Sequence, residues 1–183
     1  MTAVPRLAYE TISPSLRRQL DARVKPMGYF GESFQCAAHQ PEILSACLTM
    51  TDAFKPTLPD RVIEVCGLTA SGALKNEYER NQHEQFCIRL GFSSDWVASV
   101  NQLQRNVASD LNPTDSAAQR QCLAFIERDG KDVGSELNSV IEHLGAAEAI
   151  AIMFVVGRYV THALIVNSHD LSPPVKSIFV GRM

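Results

Sequence analysis

The run Asn76-Glu77-Tyr78-Glu79-Arg80-Asn81-Gln82-His83-Glu84-Gln85-Phe86-Cys87-Ile88-Arg89-Leu90 decides how this chain folds. It reads as one helix, stopped by Gly91. With Glu79 at zero and about 100° per residue, Phe86, Glu79, Leu90, His83, Asn76 and Cys87 fall within an arc of roughly 100°, the width of a core-facing stripe. Glu77, Asn81 and Glu84 fall on the opposite side, where solvent would satisfy them. A carboxylate and an imidazole one turn apart on an apolar stripe cost energy unless they pair or serve a site.

The same period recurs on both sides of this helix. Ser15 is read as the cap of a first helix with Leu16, Leu20 and Val24 on one face, ended by Pro26, Gly28 and Gly31. A Gly/Phe-rich connector leads to Pro41, which opens a second helix carrying Leu44, Cys47, Leu48, Thr51 and Phe54. A third runs from Asp60 to about Gly72, around Val62, Val65, Cys66 and Leu68. Beyond Gly91, Ser94 or Asp95 caps a fifth helix with Trp96, Val100 and Leu103. Pro113 begins a sixth, Ser135 a short seventh, and Ala146 to about Ser168 forms an eighth that is apolar nearly all round. The only strand-like stretch is the ambiguous tail Val175–Val180. The expected fold is therefore a single all-α domain over residues 1–183, a bundle of about eight helices.

Composition sets the remaining bounds. The 183 residues are 45% hydrophobic and 20% charged, enough to bury a core. Seventeen Lys and Arg against twenty Asp and Glu argue against a nucleic-acid partner. The purest apolar stretch, Ala149 to Gly157, is too short to cross a bilayer, and the first ten residues lack the pattern of a signal peptide. These features predict a soluble cytoplasmic protein with no membrane partner. Five cysteines, Cys36, Cys47, Cys66, Cys87 and Cys122, lack any Cys-x-x-Cys spacing and read as small buried hydrophobes. The eighth helix predicts a homo-oligomer, because a chain this small has few places to enclose an all-apolar helix.

Chemistry concentrates around the quoted helix. Glu64 sits among apolar neighbours in Arg61-Val62-Ile63-Glu64-Val65-Cys66, and a short turn near Gly72–Lys75 folds its helix back against the next. That packing brings Glu64 towards Glu79 and His83, giving two carboxylates and a histidine suited to proton transfer. A structural pairing, with Glu64 bridged to Arg61 or Arg80, uses the same residues without chemistry. His83-Glu84-Gln85-Phe86-Cys87 lacks the second histidine of a zinc-protease motif, so no metal is expected. Tyr159 and His162, three apart on the last helix, are candidate donors to a pocket at a subunit interface.

Tyr78-Glu79-Arg80-Asn81-Gln82-His83 resembles the Tyr-Glu-Trp-x-x-His segment of the carboxymuconolactone decarboxylase family, within the alkyl hydroperoxidase D-like superfamily. The resemblance extends to His39-Gln40-Pro41-Glu42, to Glu64, to Leu90-Gly91-Phe92-Ser93 and to the Tyr159–Leu171 region, spanning most of residues 28–172. It implies a helical bundle that assembles into trimers or hexamers. The peroxidase branch carries Glu-x11-Cys-x2-Cys-x3-His. Counted from Glu64, its two cysteine positions hold Asn76 and Glu79, and its histidine is His83. Both redox sulfurs are gone, so the chain is closer to the decarboxylase-like branch.

The resemblance implies an enzyme that moves a proton on a small organic acid, lactone or enolisable carbonyl compound. Its catalytic residues would be Glu64, Glu79 and His83, its substrate contacts Asn76, Tyr78 and Arg80, and it would use no cofactor. The partners expected are a small-molecule substrate and further copies of the chain, as dimer, trimer or hexamer. Two alternatives stand beside this reading: a thiol peroxidase working through Cys87 or Cys66, and a non-catalytic oligomeric binding protein.

Overall fold

The computed structural model describes residues 4–103 and 111–181. Among them lie nine α-helices and no strand: α1 Pro14–Met27, α2 Glu32–Ala37, α3 Pro41–Phe54, α4 Asp60–Ala73, α5 Glu77–Arg89, α6 Ser94–Asn101, α7 Pro113–Glu127, α8 Gly134–His143 and α9 Ala146–Ser168. Each main boundary has a local cause. Prolines stand in the first turns of α1, α3 and α7, where a missing N–H costs nothing. The side chains of Ser13, Asn76, Ser93 and Asn112 accept the N-terminal N–H of Leu16, Glu79, Trp96 and Asp115. Gly28, at φ +79°, closes α1 in the left-handed conformation.

Four local expectations are corrected. The connector after α1 contains the six-residue helix α2, too short to show a period. Ser13, not Ser15, caps α1, and Ser93 caps α6. Helix α6 stops at Asn101, before Leu103, whose φ is +51°. The ambiguous tail around 175–180 holds no strand, and residues 178–181 form a turn.

Helix α4 is the enclosed one. Val62 through Ser71 are buried with one exception, Ile63, and the helix packs against α5, α6, α7 and α9. Arg61 at its start donates to the buried Asp115 at 2.6 Å, and Trp96 Nε1 donates to the same carboxylate at 3.0 Å, tying α4, α6 and α7 together. That pairing occupies Arg61 and leaves Glu64 to other partners.

Helix α9 is two-faced. Ala149, Ile152, Val155, Val156, Tyr159 and Ala163 are buried, while Ile150, Met153, Phe154 and Leu164 are exposed. By length and composition alone this 23-residue helix could cross a membrane. In the bundle, its buried face packs on α4, α7 and α8.

Helix α5 departs most from its expected face. Glu79 and Cys87 are buried as the stripe requires, but Phe86 is 40% exposed, whereas Asn81 and Glu84 are 8% and 1% exposed. The helix is covered on two sides: by α4 on one, and by α6 and the C-terminal tail on the other.

Candidate active site

Helices α4 and α5, antiparallel across a short turn, bring Glu64 to His83. Their contact is a hydrogen bond of 2.7 Å between His83 Nδ1 and Glu64 Oε2. One turn back along α5, Glu79 Oε2 lies 3.1 Å from His83 Nε2. The imidazole is thus held at both nitrogens by carboxylates that are themselves buried. Helix α9 covers the pair: the Tyr159 hydroxyl is 3.1 Å from His83 Nε2, with the two rings edge to face at 5.1 Å. This approach depends on Gly67 in α4, where an added Cβ would stand 2.7 Å from the Tyr159 hydroxyl and 3.1 Å from His83 Cε1.

The same carboxylate, Glu79, is gripped from α9. Arg158 Nη1 lies 3.5 Å from Glu79 Oε2, and the guanidinium also rests 4.6 Å from the centre of the Tyr159 ring. His162 Nδ1 lies 3.0 Å from Glu79 Oε1, off the direction of a hydrogen bond, and has no other partner. Arg158 and His162 line a cavity of about 930 Å³ between α2, α3 and α9, whose walls include Ile43, Leu44, Met153 and Phe154. Glu79, His83 and Glu64 lie behind these two residues rather than on the wall.

The charges follow from these contacts. Burial disfavours a charge on His83, but the Glu64 carboxylate and its hydrogen bond, reinforced by Glu79, win and raise the imidazole to about 10. His83 is therefore an imidazolium at neutral pH, donating Nδ1–H to Glu64 and Nε2–H towards Glu79 and the Tyr159 oxygen. Burial alone would raise Glu79, yet His162, Arg158 and His83 hold it well below the usual carboxylate range. Burial, with Glu64 and Glu79 nearby, pushes the Tyr159 phenol well above its ordinary value. The Cys87 thiol, donating to Glu64 Oε2 at 3.5 Å, is driven up first by burial and then by the same carboxylate, so the thiolate form is suppressed. Among the described residues, no group of three or more His, Cys, Asp or Glu side chains is arranged to hold a metal ion.

The side chains expected to contact substrate, Asn76, Tyr78 and Arg80, do not line this cavity. Asn76 is buried and spends its side chain capping α5. Tyr78 accepts from the Ser33 amide and hydroxyl, linking α5 to α2, and its ring lies tilted 6.2 Å from that of His162. Arg80 turns to Glu77 and Glu84, away from the Glu79/His83 face. The arginine that reaches the site is Arg158. Its signal was present as the lone Lys or Arg inside the apolar run of α9.

The architecture matches known structures closely. A debrominase, Bmp8, superposes with a TM-score of 0.82 at 14% identity, covering 96% of this chain and 94% of that one. The fold is that of the alkylhydroperoxidase AhpD core. A peroxidase-related protein of that core from Ralstonia eutropha JMP134 matches at TM-score 0.82 and 16% identity over 98% of this chain and 95% of its own. A cysteine-to-alanine variant of Bmp8 in complex with 2,3,4-tribromopyrrole matches at 0.80 and 15% identity, over 94% and 91%. No protein-family model and no curated protein matches the sequence. At such identities the AhpD-like fold is shared, while chemistry rests on this chain's own residues.

Proposed function

We propose that this chain is an acid–base enzyme of the carboxymuconolactone decarboxylase-like kind, moving a proton at a carbon made acidic by a neighbouring carbonyl. The observation that supports this most is Glu79, which joins two histidines: His162 on the cavity wall and His83 behind it. His162 takes the substrate proton at Nε2, with Nδ1 turned to Glu79 Oε1 3.0 Å away. Glu79 stabilises the imidazolium that forms, as a buried carboxylate does for a histidine base. His83, held charged by Glu64, fixes Glu79 and balances its charge, and His162 returns the proton to product. Decarboxylation, isomerisation and hydration all use such a step. The raised Cys87 thiol and the Asn76 and Glu79 side chains at the two cysteine positions weigh against a thiol peroxidase.

The test works before any substrate is identified. A panel of enolisable acids and lactones is incubated with the protein in deuterated water, and NMR follows deuterium entering the carbon beside the carbonyl. The expected result is exchange with at least one member, lost in His162→Gln and in Glu79→Gln. Exchange that survives both substitutions overturns the reading.

A further inference from the structure

We propose that the cavity between α3 and α9 binds a monocarboxylic acid with a large apolar body, its carboxylate held by Arg158. This names the substrate class for the acid–base reading and rests on that reading for its catalytic meaning, but not for binding itself.

Three observations converge. At about 930 Å³ the cavity lies at the upper end of small-molecule sites, roughly 300–1,000 Å³, and suits a long acyl or alkyl body rather than a short acid. Its walls are largely apolar, and Ile43 and Phe154 are 62% and 60% exposed, so a hydrocarbon would cover apolar surface open to water. Among the described residues lining it, Arg158 is the one lysine or arginine, beside the uncharged polar side chains Ser33, Gln40, Thr51 and Thr161. Arg158 and His162 stand four apart on α9, hence on one face. Arg158 directs one of a guanidinium's five N–H donors to Glu79, leaving a planar fork that matches a carboxylate.

Charge selects the ligand head. The Arg158 guanidinium stands on the cavity wall and stays charged, so its remaining N–H donors favour an anionic head. A neutral alcohol makes only an uncharged hydrogen bond there, and an ammonium head meets repulsion from Arg158.

The test compares decanoate, decanol and decylammonium by calorimetry on the wild-type chain, Arg158→Gln and Gly157→Leu. Gly157 lines the cavity, and a Cβ there meets nothing within 4 Å, so its leucine fills ligand space without disturbing the helix. Decanoate is expected to bind at one site per chain, and decanol about tenfold more weakly or worse. Decylammonium is not expected to bind. Both substitutions weaken decanoate by about tenfold or more, with the melting temperature of Gly157→Leu no lower than wild type. The inference is overturned if decanol matches decanoate, or if Gly157→Leu leaves binding intact. It is also overturned if sedimentation shows a second copy of the chain seated on the cavity that decanoate does not displace. Deuterium exchange in the absence of decanoate binding overturns this inference alone. Decanoate binding without exchange anywhere in the panel overturns the acid–base reading and leaves the binding site standing.

Discussion

Helix α5 carries two buried carboxylates five residues apart, and they live in different chemistry. Glu84, 1% exposed, accepts from Asn101 Nδ2 at 2.9 Å, from Ser177 Oγ at 2.5 Å and from the Ile178 amide at 3.1 Å. Those are amide and hydroxyl donors, with the Arg80 guanidinium farther off at 3.9 Å; none titrates near neutrality, and Ser177 and Ile178 pin the C-terminal tail to the bundle. Glu79, 6% exposed, is surrounded by two histidines and an arginine next to a cavity. Burial is common to both. What separates a clamp from a candidate site is whether the partners can give and take protons and whether a ligand can reach them.

Replacing each carboxylate by its amide is the sharpest way to break this comparison. Glu79→Gln is expected to lower deuterium exchange by roughly a hundredfold or more, the usual loss for positioned acid–base catalysis. Glu84→Gln keeps the shape of the clamp and should leave the rate within about twofold, a change well under 1 kcal/mol in barrier. Equal losses in the two variants would show that both act through stability.

Stability reverses the order. Glu84→Ala strands the Asn101, Ser177 and Ile178 donors and should cost about 2–3 kcal/mol in urea unfolding. Amide exchange at Ile178 and Phe179 should accelerate with it. Retained protection of the tail would mean that Asn81 and Gln85, which donate to Val175 and Lys176 at 3.1 and 3.0 Å, suffice to hold it.

Acidity sharpens the Glu79 side further. His83 is raised from 6.5 to about 10, so the stability it contributes is complete below pH 6.5 and disappears as pH rises through about 10. Glu79 is depressed below 4.5, so its contribution is complete above that value and disappears as pH falls through its lower folded value. The destabilisation caused by Glu79→Gln, measured by urea midpoints, should therefore be constant near pH 5–6 and shrink on acidification below pH 4.5. A difference that is flat into strong acid contradicts the ion-pair account.

The smallest effects come from two glycines. Gly157→Ala, in open space on α9, should stabilise by about 0.5–1 kcal/mol through helix propensity. Gly67→Ala meets the Tyr159 hydroxyl at 2.7 Å and should lose that gain while displacing the His83–Tyr159 contact. Thermal melts of the pair check this, and equal shifts would show that the site relaxes freely.

The sequence made much of this legible because the helices obey simple periods and a short turn makes α4 and α5 antiparallel. Glu64, Glu79 and His83 could be brought together on that ground alone. A single-stripe reading failed for Glu84 and Phe86 because α5 is buried on two sides, and a tail some ninety residues away supplies the second cover. Arg80 was expected at the site by its neighbourhood in sequence, but one residue of helix rotation points it to Glu77 and Glu84. Arg158 and His162 enter from α9, at a separation no local pattern encodes. Helix α4, rather than α9, is the enclosed helix, because small residues such as Gly67, Ala70 and Ser71 let neighbours close round it.

The central claim is that His83 is a charged imidazole held between two carboxylates at neutral pH. Titration of His83 by NMR in wild type, Glu64→Gln and Glu79→Gln tests it most directly. The account predicts a midpoint near 10 in wild type, a large fall in Glu64→Gln and a smaller one in Glu79→Gln, since Glu64 is the stronger cause. A wild-type midpoint near the ordinary 6.5, unmoved by either substitution, would contradict it.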